Sequence, residues 1–423
     1  MHPLSKIPDF VKLEHETAKI LQRQEAHGWR FDVAAARQLT STLEEELQEA
    51  KQILQTRHPF VQGPEFNPKR DNKTQGYVSG CPSTRLKSLN PTSRDHIAWV
   101  LETFYKWKPK KLTATGKPII DEPTLKEIGT DTALLFLKCL DITKSLGMIS
   151  EGINAWLKLV TNADRIHHHC STATNTFRCS HRRPNLSQVP SDLRFRELFI
   201  PSPGMVMVGA DLAGVELRML SHYLARYDGG RYADILLNGD IHQTNADAIG
   251  ISRRQVKTVT YAMLYGAGDE KLGHSYDESL PTNKAKKKGK EIREAYVEAI
   301  PGLDKLLSAT AKAAERGYLK AIDGRKVLLD SKHKSLNYLL QGSSAVLAKR
   351  WLCINNDTIN ETNLQARQLA FIHDELQFEC SPAHSKDLST SLVYSATAAG
   401  EYYNLRVKIE AEAKIGNNWA EVH

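Results

Sequence analysis

Met205 to Asp211 is an apolar, β-branched run that ends on a carboxylate, is broken at Ala213-Gly214, and leads into a helix-patterned segment from Val215 to Arg226. Such a run reads as a buried strand feeding a helix through a tight turn. Two further apolar runs within Ala370 to Cys380 flank His373-Asp374-Glu375, which predicts a hairpin with acidic residues at its tip. If these strands share a sheet, Asp211 and Asp374 converge at its edge. Phosphoryl transfer by two Mg²⁺ ions about 3.5 to 4 Å apart needs carboxylates placed that way. Taken singly, either Asp serves equally well as a turn former or cap.

The rest of the chain bounds the architecture. Its 423 residues exceed one compact core of ordinary size, so two or three packed lobes are expected. Hydrophobic residues make up 41% and charged ones 25%, enough to bury a core and too polar for wholesale disorder. No apolar stretch approaches the ~20 residues of a membrane span. The N-terminal residues lack the apolar core of a secretory signal, so a cytoplasmic protein is expected. Residues 12 to 56 read as helical around a break at Gly28, with Val33, Leu39, Leu43, Leu47 and Leu54 near helical spacing. Pro59 to Pro91 reads as a long basic loop. Helical pattern returns at Ser93 to Trp107 and Asp131 to Leu159, which makes the first ~165 residues a largely helical lobe.

Net charge is +8 and unevenly spread. Arg178, Arg182, Arg183, Arg194 and Arg196 fall within 19 residues, interleaved with His181, Pro184, Asn185 and Gln188, a composition suited to phosphate contacts. Five lysines in the seven positions Lys284 to Lys290 read instead as a solvated, mobile surface segment. The six cysteines are scattered without a CxxC pair, so reduced thiols are expected rather than disulfides or a Cys-rich zinc module. His167-His168-His169 with Cys170 invites a zinc reading. Adjacent side chains of an extended segment point to opposite faces, however, and no second ligand cluster is visible, so zinc is not expected.

A helix is predicted from near Ser252 to about Gly266. Arg253, Lys257 and Tyr261 recur every fourth residue, with Leu264 three later, lining one face with two cations, a ring and an apolar side chain. That is a ladder for a polyphosphate with an aromatic ring to stack on its carrier; a basic amphipathic helix with Tyr261 and Leu264 in the core fits the spacing as well. Together, Asp211-Leu-Ala-Gly-Val-Glu-Leu-Arg218, Arg253 to Gly266, His373-Asp-Glu375 and Arg178 to Pro190 resemble motifs A, B and C and the template–primer motif of the family A DNA polymerases, in their replicative short-tailed-phage branch. Asn238 to His242, Asp323 to Lys326, Leu340 to Ser344 and Gly416 to Trp419 are similar to further family segments, so the resemblance runs from about residue 10 to the end.

The resemblance implies an α+β right-hand polymerase: a mainly helical thumb at 1–165 with the basic loop at 59–90, a palm with an antiparallel sheet at 166–235 and 331–423, and fingers at 236–330. It implies a DNA-directed DNA polymerase of DNA replication, with Asp211, Asp374 and the Leu212 carbonyl holding two Mg²⁺ ions. His242, Arg253 and Lys257 would bind the dNTP triphosphate, Tyr261 would stack on base and sugar, Glu216 would exclude a ribose 2′-hydroxyl, and Tyr265 would shape the templating-base pocket. Arg178, His181, Gln341 and His373 would lie along primer–template DNA. Tyr at position 261 implies ready acceptance of dideoxynucleotides. No Asp-x-Glu signature of a proofreading exonuclease precedes the polymerase motifs, so proofreading is expected to be absent or to come from a separate chain, with a helicase or processivity factor as further partners. The loop at 59–90 is shorter than the thioredoxin-binding insertion of the phage relative, which weighs against a thioredoxin partner. A single-subunit RNA polymerase is the competing enzyme, opposed by Glu216 and Glu375; a non-catalytic DNA-binding relative is opposed by the intact Asp211 and Asp374.

Overall fold

The computed structural model describes residues 7–278 and 280–423, save the side chain of Lys332. It divides into two compact units, Met1–Val33 with Leu159–His423, and Ala34–Lys158. The boundary differs from the single helical lobe expected over 1–165, because the described residues up to Val33 belong to the larger unit. Helix α1 (Asp9–His27) and strand β1 (Trp29–Phe31) are that contribution.

In the smaller unit, α2 (Val33–Arg57) buries Leu43, Leu47 and Leu54, the stripe its spacing predicts. The expected basic loop is instead largely a hairpin, β2 (Phe60–Phe66) against β3 (Ser83–Ser88), with Arg85 stacked 4.9 Å from Phe66 and 5.8 Å from Tyr77. Only Val61 of these two strands is buried, so no alternating apolar pattern marked them. Lys69, Arg70 and Lys73 are exposed on the connection between the strands. Then come α3 (Arg94–Tyr105), α4 (Glu122–Ile128) and α5 (Asp131–Leu146), the last two capped by Asp121 and Thr130. The helix expected to reach Leu159 stops early: a π turn over Gly147–Glu151 ends at Gly152, and α6 (Trp156–Leu159) follows separately.

In the larger unit, β4 (Arg165–Ile166) pairs with β1, while β5 (His169–Ser171) pairs with β6 (Ser180–Arg182). After α7 (Leu193–Arg196), β7 (Phe199–Ile200) closes the other side of β1. Strand β8 (Val206–Leu212) leads into α8 (Val215–Asp228), followed by α9 (Arg231–Asn238), α10 (Ile241–Ile249), α11 (Arg253–Leu264), α12 (Asp269–Tyr276), α13 (Thr282–Ala299) and α14 (Leu303–Ala314). The lysine run, expected as a solvated surface segment, lies within α13 with most of its lysines exposed. Ala285 and Gly289 face α12, and a Cβ on Gly289 would stand 1.8 Å from the Asp269 carbonyl, so the two helices cross at backbone distance. The lysines project outward, Lys288 over the Tyr276 ring at 4.9 Å.

A small hairpin, β9 (Tyr318–Lys320) with β10 (Lys326–Leu328), precedes α15 (Ser335–Glu361), which is buried on nearly all sides. The central sheet is antiparallel in the order β11 (Ala366–Ile372), β12 (Glu375–Cys380), β8, β13 (Ala411–Gly416). Helices α15 and α16 (Ser385–Tyr402) are joined through Trp351, whose indole N–H donates to the Leu392 carbonyl at 2.8 Å, and α16 packs on β8 and β13. The terminal α17 (Trp419–Val422) also packs on β8, with the Trp419 ring tilted against Trp29 at 5.1 Å and edge-on to Phe199 at 5.5 Å. Cover from helices and from this aromatic group explains why every residue of β12 is buried and why β8 reads as a continuous apolar run.

Candidate active site

The register of the central sheet brings the acidic residues together. Asp211, near the end of β8, lies opposite Glu375 of β12 and Glu412 of β13. The Leu212 N–H donates to the Asp374 carbonyl at 3.0 Å, pinning the hairpin tip to the end of β8. At that tip His373 adopts φ +59°, a left-handed conformation a non-glycine residue adopts at a cost, which makes the two-residue connection tight.

Burial first, and then crowding of like charge, sets the electrostatics. Desolvation, then the charge of Asp374, pushes the Asp211 carboxyl up to about 8. Desolvation, then Glu216, raises Asp374 to about 6, against the pull of Arg178. Carboxylates that resist ionisation beside one another, with Asp211 still open to solvent, have the chemistry of a divalent-cation site. Glu375 faces elsewhere. It accepts from the Trp419 indole at 2.6 Å and the Gln377 amide at 2.6 Å, and lies 3.1 Å from the His423 imidazole. Burial opposes its charge, but the bonds to His423, Trp419 and Gln377 hold its carboxyl below the ordinary range. It therefore anchors α17 to the sheet.

Glu216, on the first turn of α8, accepts from Arg178 at 2.5 Å and from the Tyr265 hydroxyl at 3.4 Å. Three segments distant in sequence thus meet on one carboxylate beside Asp374. Arg218 was seen in the sequence only as part of a motif and given no role. It donates to the Ala213 carbonyl at 2.6 Å, to Glu410 at 2.9 Å and to the Lys408 carbonyl, fixing the turn after Asp211. The position of its partners, almost two hundred residues on, left no local signal.

Helix α11 is capped by Ser252 in a reciprocal box with Gln255 and buries Val256, Val259, Thr260 and Leu264. Leu264 therefore turns into the core and away from the face expected to carry Arg253, Lys257 and Tyr261. Arg253 and Lys257 are exposed, with Arg253 paired to Asp240 at 2.8 Å. The His242 ring lies 6.3 Å from that of Tyr261, and burial together with Arg253 and Lys257 lowers its basicity. Tyr261 is half-buried and feels the charges of Glu216 and Asp374.

Four residues were expected along a duplex. Arg178 is engaged by Glu216, Gln341 is half-buried on α15, and His373 is half-buried at the hairpin tip. His181 is only 6% exposed, with its ring between those of His168 and His373 at 5.9 and 6.2 Å.

The model of DNA polymerase family A matches residues 75–421. The chain belongs to family A of the DNA polymerases. This family A polymerase is 30% identical to the DNA-directed DNA polymerase of Enterobacteria phage T3 and 29% identical to that of Escherichia phage T7. Each match takes in 98% of this chain and 70% of the relative. Its fold is that of the POL domain of Pol1 from M. smegmatis, solved in complex with DNA primer-template and dNTP. The two superpose with a TM-score of 0.77 at 22% identity, over 97% of this chain and 70% of that one. The α+β class and the enzyme class expected from the motifs both hold for this member of the phage branch.

Proposed function

We propose that the chain adds dNTPs to the 3′-hydroxyl of a primer annealed to template DNA, with Asp211, Asp374 and the Leu212 carbonyl holding two Mg²⁺ ions. The reading is carried by one observation: the register of β8 with β12 sets Asp211 beside the tip that bears Asp374. Two such ions, when bound, lower the pKa of the 3′-hydroxyl and neutralise the leaving pyrophosphate. The primer–template DNA and dNTP held by the M. smegmatis relative support these substrates. In this reading the smaller unit is the thumb, the central sheet the palm, and α9 to α14 the fingers.

The remaining residues bind and orient. Arg253 stands at the N-terminus of α11, where helix dipole and guanidinium both favour an anion, and it exchanges Asp240 for a phosphate; Lys257 and His242 extend the same path. Glu216, held by Arg178 and Tyr265, occupies the space a ribose 2′-hydroxyl needs, and so opposes RNA synthesis. Arg178, Gln341 and His373 follow the minor groove, where acceptors common to all correct pairs are offered. Primer extension with dNTPs in parallel with rNTPs tests the whole reading: equal use of both makes the enzyme an RNA polymerase, and use of neither makes it a binding module.

Tyr261 gives the reading its finest test. A phenol hydroxyl beside the sugar replaces the hydrogen bond lost with a missing 3′-hydroxyl, so dideoxynucleotides are accepted readily. Tyr261→Phe is expected to raise discrimination roughly tenfold or more, the equivalent of about 1.4 kcal/mol, with normal dNTP use unchanged. Competition between dNTP and ddNTP measures it, and equal discrimination in both proteins removes Tyr261 from the nucleotide site.

Neutralising Lys69, Arg70 and Lys73 is expected to weaken primer–template binding and to flatten its salt dependence by at most about 0.9 in log–log slope per lost phosphate contact. Binding unchanged across a salt series would leave these residues as solvated surface. Extension without degradation of the primer 3′ end is also proposed. Degradation that survives Asp211→Asn with Asp374→Asn would reveal a separate nuclease site.

A further inference from the structure

The three consecutive histidines divide between two faces, as an extended segment requires. His167 and His169 turn outward to the C-terminal turn of α1, at 2.7 Å from the Glu25 carbonyl and 2.8 Å from its carboxylate. His168 and Cys170, two residues apart, turn inward together. The second ligand group that the sequence did not reveal arrives on the neighbouring strand, because β5 and β6 pair with Cys170 directly opposite His181. One nitrogen from each of His168 and His181 and the Cys170 sulfur lie within 4.8 Å of one another.

Protein groups alone do not satisfy this cluster. His168 is fully buried and His181 is 6% exposed, yet His168 Nδ1 and His181 Nε2 have no hydrogen-bond partner. Cys170 Sγ lies 3.2 Å from His181 Nδ1, and the single Gln24 amide is shared between His168 Nε2 at 3.1 Å and Cys170 Sγ at 3.5 Å. Buried polar groups this incompletely paired are uncommon in a folded core. The donors are borderline and soft, the set that suits Zn²⁺ and not Mg²⁺ or Ca²⁺. Gln24, on α1, stands beside two of them; its oxygen accepts from the Gln368 amide at 2.7 Å, so turning both amides end for end keeps that bond and offers the Gln24 oxygen as a fourth donor.

We propose that His168, Cys170 and His181, with Gln24 beside them, form a structural Zn²⁺ site, separate from the carboxylates of the nucleotidyl-transfer centre, that ties α1 to the β5–β6 pair. In a tetrahedral zinc site the donor atoms stand about 3.3 to 3.8 Å apart, against an upper separation of 4.8 Å here, so the cluster has to close by only about 1 Å. Both imidazoles are already neutral, the ligand form, since burial and the neighbouring histidines push His168 down to about 3 and burial then His373 push His181 down to about 4. Burial holds the Cys170 thiol protonated, so binding forms the Zn–S bond as the S–H bond breaks and releases one proton to solvent. The consequence reaches the active site: Arg178, the partner of Glu216, lies two residues before β6, and the ring of His181 abuts that of His373.

The chelator-stripped 423-residue chain, kept in excess Mg²⁺ so that the carboxylates are occupied, is titrated with Co²⁺ as a spectroscopic substitute and then with Zn²⁺. About one equivalent of Co²⁺ should produce a thiolate-to-metal charge-transfer band with intense tetrahedral d–d bands, and Zn²⁺ should displace it. Cys170→Ser should abolish the charge-transfer band, and His181→Gln should weaken binding at least tenfold. Zn²⁺ should also raise the thermal midpoint of the wild type and not that of Cys170→Ser. A wild-type spectrum with only weak octahedral bands overturns the proposal without recourse to any variant. So does a charge-transfer band that survives Cys170→Ser.

Discussion

Asp374→Asn and Asp211→Asn are each expected to lower single-nucleotide incorporation roughly a thousand-fold, about 4 kcal/mol of transition-state stabilisation, while changing primer–template affinity by less than about threefold. Affinity survives because phosphate contacts elsewhere supply most of it. The same substitutions should behave oppositely in stability. In the absence of a cation, burial and mutual repulsion raise both folded-state carboxyls, to about 8 for Asp211 and about 6 for Asp374, above the ordinary value of 3.8. The native state then binds more protons than the unfolded chain between roughly pH 4 and 8, so stability falls as pH rises through that window. At pH 8 without divalent ions, either Asn variant should therefore melt above the wild type, and saturating Mg²⁺ should narrow the difference. Loss of turnover accompanied by gain of metal-free stability identifies a site that trades stability for function. Near-normal extension by either variant, or a melting midpoint below wild type, rejects the assignment.

Gly209→Ala is expected to be among the most damaging single-methyl additions in the chain. Gly209 lies in the middle of β8 directly across from Gln377, and a Cβ there would stand 2.5 Å from the Gln377 amide nitrogen and 2.5 Å from the Val422 carbonyl. The carbonyl is backbone and cannot rotate away, so either β8 or α17 must shift. A shift of α17 strains the Trp419 and His423 bonds to Glu375, whose carboxylate is buried and costly to leave unpaired. Overpacking costs of about 1–3 kcal/mol are expected, and more where the bonds to Glu375 are lost. Denaturant unfolding followed by tryptophan fluorescence measures it, since Trp29 and Trp419 stack beside the site of the change. An unaltered midpoint would show that α17 has room to move.

Much of this was legible in the chain itself. The apolar run before Asp211 announced β8, the paired runs around His373-Asp374 announced the β11–β12 hairpin, and the fourfold spacing of Arg253, Lys257 and Tyr261 announced α11, because each signal is local and its period is fixed by backbone geometry. Family membership followed from the order of those segments. The polar hairpin β2–β3 was missed because strands exposed on both faces carry no alternation, and the lysine run of α13 because its buried face is only Ala and Gly. Which distant residues meet was decided by register and packing alone. Cys170 faces His181 because β5 and β6 pair in one of two possible phases; a slip of a single residue would send every side chain to the other face. Likewise Glu375, adjacent in sequence to Asp374, is engaged by Trp419 and His423, residues from the far end of the chain that no local pattern couples to it. The sequence determined the elements and the chemistry they carry, whereas partnership across the strands, on which Asp211 and His181 depend, exists only once the strands are in register, and the meeting of Arg178 and Tyr265 on Glu216 only once the elements are packed.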